Sequence, residues 1–162
     1  MFTGKKVLII GLAKSGKAAL NLLKHLNATI TVNEYAPKEK IAEYNEYIAS
    51  GIEMITGGHP DELFERDFDF VVRNPGINYK KPFLLRLKER GIPVYTEIEL
   101  AYQVSAMQNY IAITGTNGKT TTVTLVHEIF KNALRPCALA GNVGIPLCEE
   151  VLNHDLIHHE GY

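Results

Sequence analysis

Short apolar runs alternate with stretches of helical periodicity over most of the chain. Val7-Leu8-Ile9-Ile10, closed by Gly11, reads as a buried strand. Apolar residues at Ala18, Ala19, Leu22, Leu23 and Leu26 then recur at helical spacing and predict a helix over 17–26. Thr29-Ile30-Thr31-Val32 is β-branched throughout and predicts a second strand that ends at Asn33-Glu34. A helix over 38–50, stopped by Gly51, follows, and 53–56 and 68–72 read as two more strands. A helix over 81–90 stops at Gly91, and Pro93-Val94-Tyr95 makes a further strand. Thr96, with Glu99 three residues on, fits a capping box that opens a helix through Ala101 and Tyr102. This alternation predicts an α/β fold, a Rossmann-like doubly wound parallel sheet.

The polar, small-residue stretch 103–109 lacks strong periodicity and marks a boundary. Beyond it the pattern restarts with a strand at Tyr110-Ile111-Ala112-Ile113-Thr114, a glycine-bearing loop, and a helix over 119–134. The expected division is a first domain over 1–104 and a second unit over 105–162. The second is too short for a whole α/β nucleotide-binding domain, so it is read as the start of a P-loop α/β ATP-binding domain.

Composition narrows the function classes. A hydrophobic fraction of 46% and a charged fraction of 22% are those of a globular protein, and a net charge of -1 gives no basic field for nucleic acid or anionic lipid. Two cysteines, Cys137 and Cys148, are too few for a disulfide framework and read as reduced thiols. The four apolar residues before Gly11 are too short for a signal-peptide core or a membrane span. The expectation is a cytoplasmic protein with neither membrane nor nucleic-acid partner.

Three segments carry candidate chemistry. The turn Gly11-Leu12-Ala13-Lys14-Ser15-Gly16, between first strand and first helix, would aim helix-start amides at a phosphate. It departs from G-x-G-x-x-G at Ala13, while Glu34 stands where a ribose-binding acid is expected. Arg73-Asn74-Pro75-Gly76-Ile77 follows the fourth strand, at the carboxyl end where ligands of open α/β sheets sit; alone it reads rather as a proline-glycine turn. Gly115-Thr116-Asn117-Gly118-Lys119-Thr120, followed by Thr121, reads as a shortened P-loop, with Ile113 where the full pattern wants its first glycine. Its backbone amides would form an anion nest, Lys119 would reach the outer phosphates of ATP, and Thr120 would offer a hydroxyl to Mg²⁺.

Other groups have plainer readings. His154, His158, His159 and Glu160 offer metal-like spacing but lie in a polar tail, Glu97 reads as a helix-start charge, and His127 as packing. A stand-alone nucleotide-binding module and an NAD-binding oxidoreductase domain remain open.

Residues 113–121 resemble the ATP loop of the Mur ligases and the related folylpolyglutamate synthases. Ala140-Gly141-Asn142-Val143-Gly144-Ile145-Pro146 resembles their second shared motif. Residues 7–11, Asn74-Pro75-Gly76-Ile77 and Thr96-Glu97-Ile98-Glu99-Leu100 most resemble the D-glutamate-adding members, and the likeness extends to about Glu150. The resemblance implies a UDP pocket made of Gly11, Leu12, Ala13, Lys14, Ser15, Gly16, Glu34, Asn74, Pro75 and Gly76. It implies ATP binding by Gly115, Thr116, Asn117, Gly118, Lys119, Thr120 and Thr121, and catalytic places for Lys119 and Asn142. The substrates it implies are UDP-N-acetylmuramoyl-L-alanine and D-glutamate, joined through an acyl phosphate at the expense of ATP, with Mg²⁺ at Thr120. Lys14, unusual in that turn, is expected to pair with a substrate phosphate.

Only 16 residues follow Pro146. The family's later catalytic groups and D-glutamate-binding domain are therefore expected outside this chain, which by itself is expected to bind the UDP moiety without turnover. The apolar faces of 110–113 and of the following helix are expected to pack loosely or against another copy.

Overall fold

The computed structural model describes residues 2–106 and 109–157. Five strands form one sheet: β1 (Lys6–Ile10), β2 (Thr29–Glu34), β3 (Glu53–Thr56), β4 (Phe70–Arg73) and β5 (Val94–Tyr95). All pair in parallel in the order β3-β2-β1-β4-β5, with Val7 opposite both Ile30 and Phe70, and Ile10 opposite both Asn33 and Arg73. Strand order reverses at β1, so the crevice beyond its carboxyl end, between β2 and β4, is the place for a ligand. This is the predicted doubly wound architecture.

Residues 7–10 of β1 and 70–72 of β4 are apolar because both sheet faces are covered. Val7, Ile9, Phe70 and Val72 join one core with α1 (Lys14–His25) and, as given below, two later helices. Leu8, Ile10 and Val71 join a second core with Phe64 from a 3-10 turn at Asp61–Glu65 and with Phe83, Leu84 and Leu87. Those last three come from the helix at Pro82–Glu89. Helix α1 buries Ala18, Ala19, Leu20, Leu22 and Leu23, each large side chain stabilising the fold by about 1.5–3 kcal/mol.

The predicted helix over 38–50 is broken. A 3-10 turn at Lys38–Lys40 is followed by α2 (Tyr44–Ala49), because Ile41 takes extended dihedrals and turns onto the first core. Helices α3 (Pro82–Glu89) and α4 (Glu97–Val104) stand where periodicity placed them, and the Thr96/Glu99 capping box of α4 forms.

Past residue 105 two sequence expectations change. Residues 110–114 form no strand, and Ile111 is exposed. A parallel strand needs a neighbour for its amides and carbonyls, and the sheet ends at β5. Helix α5 (Lys119–Asn132) forms, yet buries no residue and leaves Leu125 60% and Ile129 57% exposed. The second finding is α6 (Leu147–Asn153), which the periodicity reading did not include. Its Leu147, Cys148 and Val151, with Leu156 beyond, are buried in the first core against α1 and α4. Chain from beyond the expected boundary thus completes the core of the first unit. Both cysteines are free thiols, and among the described residues no helix is long and apolar enough to cross a membrane.

Candidate nucleotide-binding site

The turn after β1 is shaped by two glycines. Gly11 has φ of +89°, and a Cβ on Gly16 would lie 1.9 Å from the Gly11 carbonyl oxygen, so the helix can begin this close to the strand only with glycine there. Ala13 occupies the N-cap of α1 and supplies no side-chain cap, leaving the helix-start amides without that partner. The Gly11 N–H donates to the Asn33 carbonyl (2.9 Å) and the Asn74 N–H to the Ile10 carbonyl (2.9 Å), which ties the turn to the ends of β2 and β4.

Gly11, Leu12, Ala13, Glu34 and Asn74 line one cavity of about 200 Å³, together with Tyr35, His59 and Ile77. The Glu34 carboxylate accepts the Leu12 N–H at 2.6 Å through one oxygen and the Ala36 N–H at 3.0 Å through the other. The acid predicted to read a ribose therefore also holds the turn. Lys14, Ser15 and Gly16, in the first turn of α1, and Pro75 and Gly76, in the loop after β4, do not line the cavity. Gly16 acts by closeness, and the Gly76 N–H donates to Asn74 Oδ1 at 3.1 Å. Lys14 Nζ donates to the Gly144 carbonyl at 3.0 Å.

Arg73 builds the Asn74–Ile77 loop from below. Its side chain is buried, one guanidinium nitrogen donates to the carbonyls of Asn74, Pro75 and Ile77 (2.7 Å to Ile77), and its Cζ lies 3.4 Å from the Tyr79 ring centroid. Its Nε has no hydrogen-bond partner among the described residues. A cation under this loop adds positive potential next to the crevice.

Sequence reasoning missed His59 and Tyr35. His59 Nδ1 meets the Oδ1 of Asn33, a fully buried side chain whose amide donates to the Ile55 and Gly58 carbonyls (3.1 and 2.8 Å). With both amide hydrogens of Asn33 used, its oxygen must accept, which places the proton of a neutral His59 on Nδ1. Burial pushes the His59 pKa down, against the pull of Glu34 and with help from Lys81. The findable signal was Gly57-Gly58-His59-Pro60 directly after β3, at the carboxyl edge of the sheet where this fold places its ligands.

The second candidate region is more open. Gly118 takes a left-handed conformation (φ +77°) as the N-cap of α5, with no side-chain cap. Lys119 Nζ donates to the carbonyls of Gly115 and Thr116, folding over its own loop. Lys119, Thr120 and Asn142 share a broad concavity of about 920 Å³ whose walls include Ile113, Val123 and Phe130. Gly115, Thr116, Asn117, Gly118 and Thr121 lie in the loop and first turn beside it without lining it. The donor set, a lysine, a hydroxyl and uncapped helix-start amides, fits a nucleotide triphosphate and its Mg²⁺.

His127 pairs with Cys137 (3.3 Å between Nδ1 and Sγ), which agrees with packing. His154 Nε2 lies 3.3 Å from Glu150. His158, His159 and Glu160, the rest of the tail considered for metal, lie outside the described residues.

Comparison with known proteins adds family information to this geometry. Residues 5–96 match the family described as Mur ligase MurD-like, N-terminal domain, and residues 113–156 match the Mur ligase middle domain. The chain is 50% identical over 145 residues to UDP-N-acetylmuramoylalanine--D-glutamate ligase of Geobacillus sp. (strain WCH70), an alignment covering 90% of this chain and 32% of that one. It therefore spans about a third of the length of the curated relatives it matches. Among solved structures it resembles a murein peptide ligase from Psychrobacter arcticus (TM-score 0.55, 19% identity, 98% of this chain and 33% of that one). A pseudomurein peptide ligase from Methanothermus fervidus is also similar (TM-score 0.53, 23% identity, 80% and 26%). At these identities the two structures speak for the fold alone.

Proposed function

The chain belongs to the Mur ligase family through a MurD-like N-terminal domain, and from that premise we propose that it is the UDP-substrate-binding part, with the beginning of the ATP-binding part, of an ATP-dependent amide ligase. The reaction is the addition of D-glutamate to UDP-N-acetylmuramoyl-L-alanine in the cytoplasm, for peptidoglycan synthesis. The observation that carries this reading is the cavity at the switch point of the sheet, where Gly11, Glu34 and Asn74 converge inside the segment matching the MurD-like domain.

In this reading the crevice holds the uridine diphosphate. The Gly11–Gly16 turn and the N-terminus of α1 face the diphosphate, and Glu34 and the neutral His59 offer acceptors to the nucleoside. Asn74 fixes the loop on the opposite wall. Lys119, Thr120 and the loop amides take the triphosphate of ATP with Mg²⁺, which supplies charge neutralisation while the substrate carboxylate is phosphorylated. Asn142 stands by that carboxylate. The domain division is 1–104 and 105–162, with α6 docked back on the first domain. In this reading the 162-residue chain binds the UDP moiety without turnover.

Calorimetry with UDP, ATP and NADH tests the reading. Binding of UDP without NADH binding supports it. Binding of NADH in place of UDP would return the first domain to the oxidoreductase class.

A further inference from the structure

Glu97 is 3% exposed, which is unusual for a carboxylate that has no ion pair among the described residues. It sits in the first turn of α4, where sequence suggests only a favourable charge at a helix start. Its side chain instead crosses to another element: Oε1 accepts the backbone N–H of Cys148, in the first turn of α6, at 2.5 Å. The Cys148 thiol in turn donates to the Glu97 carbonyl at 3.3 Å. No side chain of α6's own sequence caps that end, since Pro146 is its N-cap. Glu97 is thus an N-cap supplied from a distant part of the chain.

The capped helix carries the preceding loop with it. Gly141 N–H donates to the Ile145 carbonyl at 2.8 Å, and a Cβ on Gly144 would lie 2.0 Å from the Leu139 carbonyl oxygen, so residues 139–145 form a tight closed loop with Asn142 at its tip. Two further ties fix this loop to the first unit: Lys14 Nζ on the Gly144 carbonyl, and Leu147, Val151 and Leu156 in the core below.

We propose that Glu97 is a positioning residue that mounts the Asn142 loop on the UDP-binding domain, so that Asn142 keeps its place relative to the Gly11–Gly16 turn. The inference rests on the functional reading above for the role of Asn142. Its consequence is that the family's second motif moves as one body with the uridine site, whereas α5, which follows the P-loop, buries no residue. Burial raises the Glu97 pKa, with Glu149 adding to the rise, while the hydrogen bonds from Cys148 oppose it. A neutral side chain with a carbonyl oxygen therefore satisfies the same geometry.

Amide hydrogen exchange of the 162-residue chain, with and without UDP, tests the proposal on wild type, Glu97→Gln and Glu97→Ala. Glu97→Gln keeps the acceptor and is expected to keep protection over 141–153. Glu97→Ala is expected to lower protection there about tenfold or more, the scale of leaving one buried amide without an acceptor, while β1 and β4 stay protected. UDP is expected to raise protection over 141–148 in wild type and Glu97→Gln but not in Glu97→Ala, a coupling that a merely structural role does not require. Unchanged protection over 141–153 in Glu97→Ala, or equal loss across the whole sheet, would overturn the proposal, as would Glu97→Gln behaving like Glu97→Ala. If wild type fails to bind UDP, the functional reading fails instead, and the loss confined to 141–153 still reports the anchoring.

Discussion

Truncating Leu156 is expected to cost the fold far more than truncating Leu125, although both are leucines from beyond the expected domain boundary. Leu156 is 1% exposed and lies in the core formed by β1, α1 and α4, and its carbonyl accepts the Ala106 N–H at 2.7 Å. Leu125, on α5, is 60% exposed. Leu→Ala at a fully buried site costs about 2–5 kcal/mol, from lost transfer energy and the cavity left behind. For a chain of this size each kcal/mol lowers the melting temperature by roughly 2–4 °C, so Leu156→Ala should melt about 5–15 °C below wild type. Leu125→Ala should stay within about 0.5 kcal/mol of wild type. Urea unfolding followed by far-UV circular dichroism gives the comparison, with unchanged slopes as the sign that stability alone has changed. Equal effects from the two substitutions, or no effect from Leu156→Ala, would refute the assignment of α6 and its extension to the first core.

Other expectations follow from single contacts. Gly16→Ala places a methyl 1.9 Å from the Gly11 carbonyl oxygen, so it should open the turn and lower UDP affinity by about tenfold or more in calorimetry. Lys14→Ala should weaken UDP binding and flatten its salt dependence; unchanged affinity would mean that Lys14 stays on Gly144 when the site fills. Glu97 has a folded-state pKa above its unfolded value, so the stability it confers is full below the unfolded pKa and is lost as pH rises through the folded one. Glu97→Gln should therefore remove one acid-favouring component from the difference in melting temperature between pH 4 and pH 8. His59 has the opposite sign: its pKa is depressed, so its contribution is present above the unfolded value and is lost as pH falls through the folded one, which an imidazole NMR titration would follow.

The parts of the fold legible in sequence were those whose partners are close by in the pattern. Strand β1 announces itself because a central parallel strand is apolar on both faces, β2 because 29–32 are β-branched, and α1 because its buried stripe recurs every turn. The helix over 38–50 was misread because Ile41 serves the core across a break, which periodicity within the segment cannot reveal. The strand over 110–114 has strand-like residues without a neighbouring edge, and only the assembled sheet decides that. Helix α6 had its signal in Leu147, Val151 and their i,i+4 spacing, but its partner faces lie on α1 and α4, more than forty residues earlier.

The site divides in the same way. Gly11, Gly16 and Glu34 follow from the turn chemistry of the first strand and helix. His59 and the burial of Glu97 depend on contacts between distant segments: Asn33 with His59, and α4 with α6. Lys14 donates to a carbonyl of the second motif, a contact between distant segments that the spacing within its own turn does not reveal.

Titration of UDP into the 162-residue chain by calorimetry, set beside NADH and repeated on Gly16→Ala, tests the central claim most directly. The expected result is one UDP site per chain, no heat from NADH, and affinity lost in the variant. At a UDP concentration a hundred times its Kd, the same site should raise unfolding stability by about 2.7 kcal/mol. No binding of UDP to a folded chain, or binding of NADH that Gly16→Ala abolishes, would contradict the account.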